Sequence, residues 1–342
     1  MKALFNRINK EELKERLRNS GEARTTLSFY RYFHILDPIS FRDSLYVLLS
    51  DIRVYGRIYV ANEGVNGQIS LPTDKLDQFR ERIYSIPEMD GIRLNIAVED
   101  DGRSFYKLTI KVRRKIVADG LDDASFDVTK RGKHLSAREF NELTDDPDTI
   151  VVDMRNHYES EVGHFERALC PDVTTFREAL PLVADMLEPK KDKAIVMYCT
   201  GGIRCEKASA YMMHRGFKKV YQLDGGIIEY THQAEKEGLP NKFKGVNFVF
   251  DERLGERISG EIIAQCHQCG APADRHVNCA NDACHVLFIQ CDSCAQKYED
   301  CCSASCRDFL HMPEDERREK RLAIPFNGRF FSKSKPGMLK LD

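Results

Sequence analysis

At 342 residues, with 42% hydrophobic and 31% charged side chains and a formal net charge of -2, the chain has the make-up of a globular protein of two or three domains. That charge balance gives no global attraction to nucleic acid, so any such contact must be local. The opening residues mix charged and apolar side chains where a signal peptide has an unbroken apolar stretch, and no later apolar run approaches the roughly 18 residues that span a bilayer. A cytoplasmic location without membrane contact is expected, with the 12 cysteines held as reduced thiols or metal ligands.

In chain order, the pattern predicts a strand at Thr25–His34 and a helix at Pro38–Asp51, capped by Asp37 with Pro38 in its first turn. Strands follow at Arg57–Ala61 and Gln68–Leu71, joined by the turn Asn62–Gly67, whose composition suits a hairpin loop or, less simply, a ligand loop. A helix at Thr73–Tyr84 and strands at Ile92–Val98 and Phe105–Val112 complete the order of a ferredoxin-like (acylphosphatase-like) α+β domain over residues 1–115. In the last strand the two-residue period sets Lys107, Thr109, Lys111 and Arg113 on one face and Leu108, Ile110 and Val112 on the other. Lys107, Lys111 and Arg113 are candidate RNA-binding residues that could track phosphates, with Phe105 or Tyr106 for base stacking. An ordinary solvated strand face is the plainer alternative.

The junction to the next domain is expected near Thr129. Over residues 130–240 strands and helices alternate: Ile150–Arg155, a helix over Thr174–Leu187, the strand leading to Cys199, a helix over Cys205–Arg215, Val220–Gly226 and a helix over Ile227–Gly238. This is the pattern of a parallel α/β domain. Within it, Ala194–Tyr198 delivers Cys199 into a turn containing Gly201 and Gly202 and closed by Arg204, just before a helix. Backbone N–H groups and a helix N-terminus can lower a thiol pKa from about 8.5 to roughly 3.5–7.5, which makes the thiolate a nucleophile at neutral pH. A buried, inert thiol is the alternative for Cys199, and it is the expected state of Cys205, with a resolving partner as the alternative there. Asp153 and Arg155 are expected to form an internal ion pair, and His164 to be structural.

Nine of the cysteines fall between Cys266 and Cys306 in a segment at residues 245–310. Short-spaced pairs brought together supply the four ligands of a tetrahedral zinc site. Pairing first with third gives Cys266, Cys269, Cys291 and Cys294; second with fourth gives Cys279, Cys284, Cys302 and Cys306. Cys301 is left over or replaces Cys302, and His267, His276 and His285 are possible substitutes. Structural zinc is the expected cofactor, with an iron–sulfur cluster as the alternative. Residues 311–342 read as a basic, flexible tail, in which Arg317, Arg318, Lys320, Arg321, Arg329, Lys333, Lys335 and Lys340 offer a second electrostatic contact.

The six-residue loop from Cys199 to Arg204, together with Asp153-Met154-Arg155, Gly163-His164-Phe165 and Leu223-Asp224-Gly225-Gly226, resembles a rhodanese domain. Related cysteine phosphatases carry a loop one residue longer, so phosphatase chemistry is disfavoured. Many rhodanese sulfurtransferases place a basic residue directly after the cysteine; here it is Thr200, which weakens attraction for a dianionic sulfur donor. From about Thr25 to Cys306 the whole arrangement resembles the bacterial rhodanese-type tRNA uridine hydroxylases. The resemblance implies oxygen-dependent formation of 5-hydroxyuridine at the tRNA wobble position, with tRNA as partner, molecular oxygen as co-substrate and no organic cofactor evident. It makes Cys199 catalytic, assisted by Arg204, within an active-site loop of Thr200, Gly201, Gly202 and Ile203. A Cys199 thiolate adding to C6 of uracil would activate C5; an oxidised or persulfide form of Cys199 is the alternative. A sulfurtransferase carrying a cysteine persulfide, or an RNA-binding scaffold with a silent rhodanese domain, are the competing functions. Protein partners and oligomeric state are not legible.

Overall fold

The computed structural model of the chain describes residues 10–121, 130–281, 283–323 and 332–339. After α1 (Lys10–Asn19), the first sheet is built from β1 (Arg24–Tyr32), α2 (Pro38–Ser50), β2 (Tyr55–Ala61), β3 (Gly64–Pro72), α3 (Leu76–Tyr84), β4 (Asn95–Ile96) and β5 (Leu108–Val112). Helix α2 starts as its sequence requires: the Asp37 carboxylate accepts the Ile39 and Ser40 N–H groups, and Pro38 has no N–H to strand. The sheet order is β4-β1-β3-β2-β5, a ferredoxin-like arrangement with β5 added parallel to β2. Its core joins Leu27, Phe29, Ile58, Val60 and Ile69 of the sheet to Leu45, Leu49, Phe79 and Ile83 of the helices.

Three expectations shift here. Gly64–Gly67 belong to β3, because hydrogen-bond ladders to both β1 and β2 capture them, so the hairpin turn is shorter than Asn62–Gly67. The strand expected at Ile92–Val98 is confined to Asn95–Ile96, since only Leu27 and Ser28 of β1 pair with it. Val112 is 37% exposed, so the apolar face of β5 ends at Ile110.

The second unit contains β6 (Lys133–Leu135), α4 (Ala137–Asp145), β7 (Ile150–Asp153), α5 (His157–Ser160), β8 (Gly163–Phe165), α6 (Phe176–Leu187), β9 (Ala194–Tyr198), α7 (Ile203–His214), β10 (Lys219–Leu223) and α8 (Gly226–Glu237). Strands β6-β10-β9-β7 form a parallel sheet with apolar clusters on both faces. In β9, Ile195 and Met197 enter one cluster and Val196 and Tyr198 the other, which is why the strand reads as a continuous apolar run. Helix α7 begins at Ile203, two residues before the expected Cys205, because Gly202 makes the turn itself at φ +95°.

Strand β11 (Phe243–Asn247) pairs with β8 and with β12 (Glu256–Arg257), tying the cysteine-rich segment to the parallel α/β unit. Beyond lie β13 (His276–Asn278), β14 (Val286–Ile289), α9 (Asp292–Tyr298), α10 (Ala304–Leu310), α11 (Glu314–Ala323) and β15 (Ser332–Lys333). The tail expected to be flexible carries α11 and β15: acidic residues open the helix and basic ones close it, matching its dipole, while β15 pairs with β14. Lys335 pairs with Asp172 and the Lys333 ammonium lies 5.2 Å from the Tyr158 ring centre, so part of the basic charge is engaged within the chain. Arg329, Lys340 and the junction near Thr129 lie outside the described residues. No helix among the described residues is long and apolar enough to cross a membrane.

Candidate active site and cysteine clusters

Cys199 follows β9 and is 1% exposed, with the Gly202 N–H directed at its sulfur from 3.2 Å. A side chain at Gly226 would strike the Cys199 and Thr200 carbonyl oxygens, at 2.4 and 2.6 Å; without one, the N–H groups of Ile227 and Ile228 bind those carbonyls. The loop is thus pinned between the starts of α7 and α8. Burial raises the Cys199 pKa, but the Cys205 S–H, the Arg204 guanidinium and the Arg204 and Cys205 N–H groups outweigh it and lower the thiol to about 6. Burial and the neighbouring Cys199 push Cys205 well upward, so it stays a protonated donor, in keeping with a packed thiol.

Arg204 is held by Glu159 through two hydrogen bonds of 2.8 and 2.9 Å, and Glu159 is fully buried. Asp153 and Arg155 form the expected internal ion pair at 2.7 Å, with the Tyr198 hydroxyl donating to Asp153 from 2.8 Å. His164 is engaged by the Ser160 carbonyl through Nδ1 at 2.9 Å, as a structural histidine would be.

The first sheet closes over this loop. Tyr30 donates to Glu206 at 3.1 Å, Arg93 pairs with Asp224 at 2.5 Å, and Asn95 Nδ2 reaches the Gly201 carbonyl at 3.5 Å. Between sheet and loop lies a narrow cavity of about 80 Å³ lined by Cys199, Thr200, Gly201, Ile203 and Arg204 on one side and by Ser28, Gln68, Asn95 and Phe105 on the other. Phe250, Asp251 and Arg253, from the chain entering the cysteine-rich segment, add another wall.

Phe105, Phe250 and Asp251 also line a second, wider groove of about 720 Å³. It carries Lys107 and Lys111 together with Arg42, Arg57 and Lys333, interleaved with Tyr59, Tyr106, Tyr158 and Phe248. Arg113 is not among its lining residues; its guanidinium lies 5.6 Å from the Tyr59 ring centre. Cation and aromatic groups in alternation can hold phosphates and stack bases.

The nine cysteines sort as spacing predicts: Cys266, Cys269, Cys291 and Cys294 form one cluster and Cys279, Cys284, Cys302 and Cys306 another, with all sulfurs of a cluster within 4.8 Å of one another. Each cluster can hold a metal ion. Cys301 packs in an apolar cluster. His267 hydrogen-bonds Glu161 at 2.9 Å, and His267, His276 and His285 belong to neither metal cluster.

Sequence reasoning missed Glu159, Asn95, Arg42, Arg57 and Phe250. Glu159 left a trace as the third residue after Asn156 in a capping box, which marks a helix start but not an arginine partner. The others come from elements distant in sequence and left no local signal.

The thiolate reading sets a pH dependence. A pKa lowered to about 6 leaves the thiolate populated above that pH and lost below it. Iodoacetamide labelling of Cys199, followed by peptide mass spectrometry, is expected to be half-maximal near pH 6; a midpoint near the free-thiol value of about 8.5 would refute the activated state.

Family models match residues 24–116 as a UPF0176 acylphosphatase-like domain, residues 136–233 as a rhodanese-like domain and residues 244–307 as a rhodanase C-terminal region. A protein named tRNA uridine(34) hydroxylase from Photorhabdus laumondii is 56% identical over 336 residues, 98% of this chain and 96% of the relative. Another of that name from Pectobacterium atrosepticum is 57% identical over 341 residues, 99% of this chain and 96% of the relative. With this identity sustained through all three parts of the molecule, the chain belongs to the tRNA uridine(34) hydroxylase family.

Proposed function

We propose that the chain is an enzyme of the cytoplasm that hydroxylates C5 of uridine 34 in tRNA, with molecular oxygen as oxidant and Cys199 as nucleophile. The observation that carries this reading is the buried Cys199 sulfur, met by the Gly202 N–H, in a cavity that shares Phe105, Phe250 and Asp251 with a basic, aromatic groove. A single-stranded anticodon base can leave its stack for such a cavity while the flanking phosphates stay in the groove. The thiolate adds to C6, making C5 an enolate carbon that takes one oxygen atom from O₂. The second oxygen atom leaves as water with two electrons and two protons from an external thiol reductant. Loss of the C5 proton and expulsion of the thiolate restore the ring as 5-hydroxyuridine. The N–H groups around the sulfur stabilise the thiolate when it leaves, and Glu159 keeps Arg204 in place beside it.

We assign the metal as structural zinc. Neighbouring sulfurs lie 3.6 Å apart in both clusters, close to the ~3.8 Å edge of a thiolate tetrahedron with Zn–S bonds of about 2.3 Å. An iron–sulfur cluster distributes its four thiolates over two or four irons, a wider spread than four sulfurs all within 4.8 Å of one another.

The groove reading predicts that Lys107→Glu/Lys111→Glu weakens tRNA binding roughly 10-fold or more at moderate salt and flattens the dependence of affinity on salt. Fluorescence anisotropy over a salt series checks this, with Cys199 labelling as the control for an intact loop. Unchanged affinity and unchanged salt slope would remove the groove from the RNA path.

A further inference from the structure

Two residues that line the cavity beside Cys199 carry buried polar atoms with no hydrogen-bond partner among the described residues: Asn95 Oδ1 and Thr200 Oγ1. Asn95 is 3% exposed, on the short strand β4 opposite Ser28. Leaving an amide oxygen buried and unsatisfied is destabilising, and the fold gains nothing visible in return. The amide orientation is set from behind, because Nδ2 reaches the Gly201 carbonyl at 3.5 Å and the reverse orientation would put two acceptors face to face. Two residues of the cavity wall therefore carry unpaired groups, an amide acceptor at residue 95 and a hydroxyl at residue 200, adjacent in sequence to the nucleophile. The nearby Arg253 is already tied to Asp251 and Glu256 at 2.6 and 2.7 Å, and Ala97, Ile228 and Val249 add apolar wall.

The ligand that completes this site has an N–H donor for Asn95 beside a carbonyl acceptor for Thr200, on a flat and otherwise apolar ring. The imide edge of uracil has that pattern. Cytosine does not: its N3 is an acceptor and would face the Asn95 oxygen with no proton between them. We propose that Asn95 is the residue that selects uracil, accepting its N3–H, and that Thr200 donates to O4 of the same base. The proposal rests on the hydroxylation reading above and gives that site its base specificity. A hydroxyl on O4 also meets the negative charge that develops there when sulfur adds to C6, so Thr200 acts on rate and Asn95 on selection.

The test uses the full-length protein and a tRNA carrying uridine, N3-methyluridine or cytidine at position 34, with single-turnover product measured by mass spectrometry. Wild type is expected to react with uridine, roughly 100-fold more slowly with N3-methyluridine, and not with cytidine. Asn95→Ala is expected to slow the uridine reaction roughly 10- to 100-fold and to bring the two uridines within about threefold of each other, since the methyl group fills the vacated space. Thr200→Val should slow both uridines and leave their ratio unchanged. An Asn95→Ala protein that keeps the wild-type ratio overturns the proposal. Should that variant not fold, the wild-type comparison decides, because equal rates on uridine and N3-methyluridine also overturn it. Absence of product from uridine with wild type overturns the hydroxylation reading itself, and the proposal with it.

Discussion

Cys199→Ser is expected to reduce 5-hydroxyuridine formation by about 10³-fold or more in single-turnover assays, with the fold retained. Serine keeps a hydrogen-bond acceptor for the Gly202 N–H, so the loop loses little packing. What it loses is the anion: a hydroxyl is not ionised near pH 7, whereas the Cys199 thiol, lowered to about 6, is mostly thiolate there. Tm should move by no more than a few degrees, because the substitution opens no sizeable cavity. Cys205→Ala separates the nucleophile from its setting. Removing that S–H takes away one of the groups that lower the Cys199 pKa, so the pH midpoint should rise and the rate at neutral pH should fall only several-fold. Wild-type turnover by Cys199→Ser would end the nucleophile account.

Loss of either metal is expected to be nearly as damaging, through the fold rather than the chemistry. Structural zinc in small cysteine sites contributes about 10–16 kcal/mol of apparent binding energy near pH 7, which is of the order of a domain's whole stability. The clusters hold a segment whose secondary structure is short, with β13, β14 and α9 of three to seven residues each. Cys294→Ser or Cys306→Ser should lower the metal content measured by inductively coupled plasma mass spectrometry from two equivalents per chain to about one, and add a low-temperature step to the melting curve. Activity should fall with it. The chain that leads into this segment supplies Phe250, Asp251 and Arg253 to the cavity wall, and His267 is joined to Glu161, two residues from the Glu159 that holds Arg204. Unaltered metal content in both variants would refute the assignment of these cysteines as ligands.

Local signals explain what the sequence revealed. Asp37-Pro38 marks a helix start, the apolar run of β9 marks a strand buried on both faces, and the spacing of Cys266 to Cys306 marks two four-sulfur groups. The loop from Cys199 to Arg204 is contiguous, so its chemistry could be read in one line. The cavity could not. Asn95 reaches the loop from a two-residue strand that sequence pattern overstated, and Phe250 arrives from beyond β11, so their meeting depends on how separate units dock. Arg42 and Arg57 likewise enter the groove from separate elements and look like ordinary surface charges in isolation, whereas Lys333, from the basic tail, is a contact that charge composition marks. In the tail, the charge order along α11, acidic first and basic last, suits a helix that basic composition alone does not mark.

The most direct test of the central claim is to incubate purified protein with an unmodified U34 tRNA and a thiol reductant under ¹⁸O₂, then digest the tRNA and weigh the wobble nucleoside by mass spectrometry. Hydroxylation with oxygen as oxidant predicts 5-hydroxyuridine carrying one ¹⁸O atom, absent under nitrogen and absent with Cys199→Ser. Uridine left unchanged under ¹⁸O₂, or 5-hydroxyuridine formed equally under nitrogen, would contradict it.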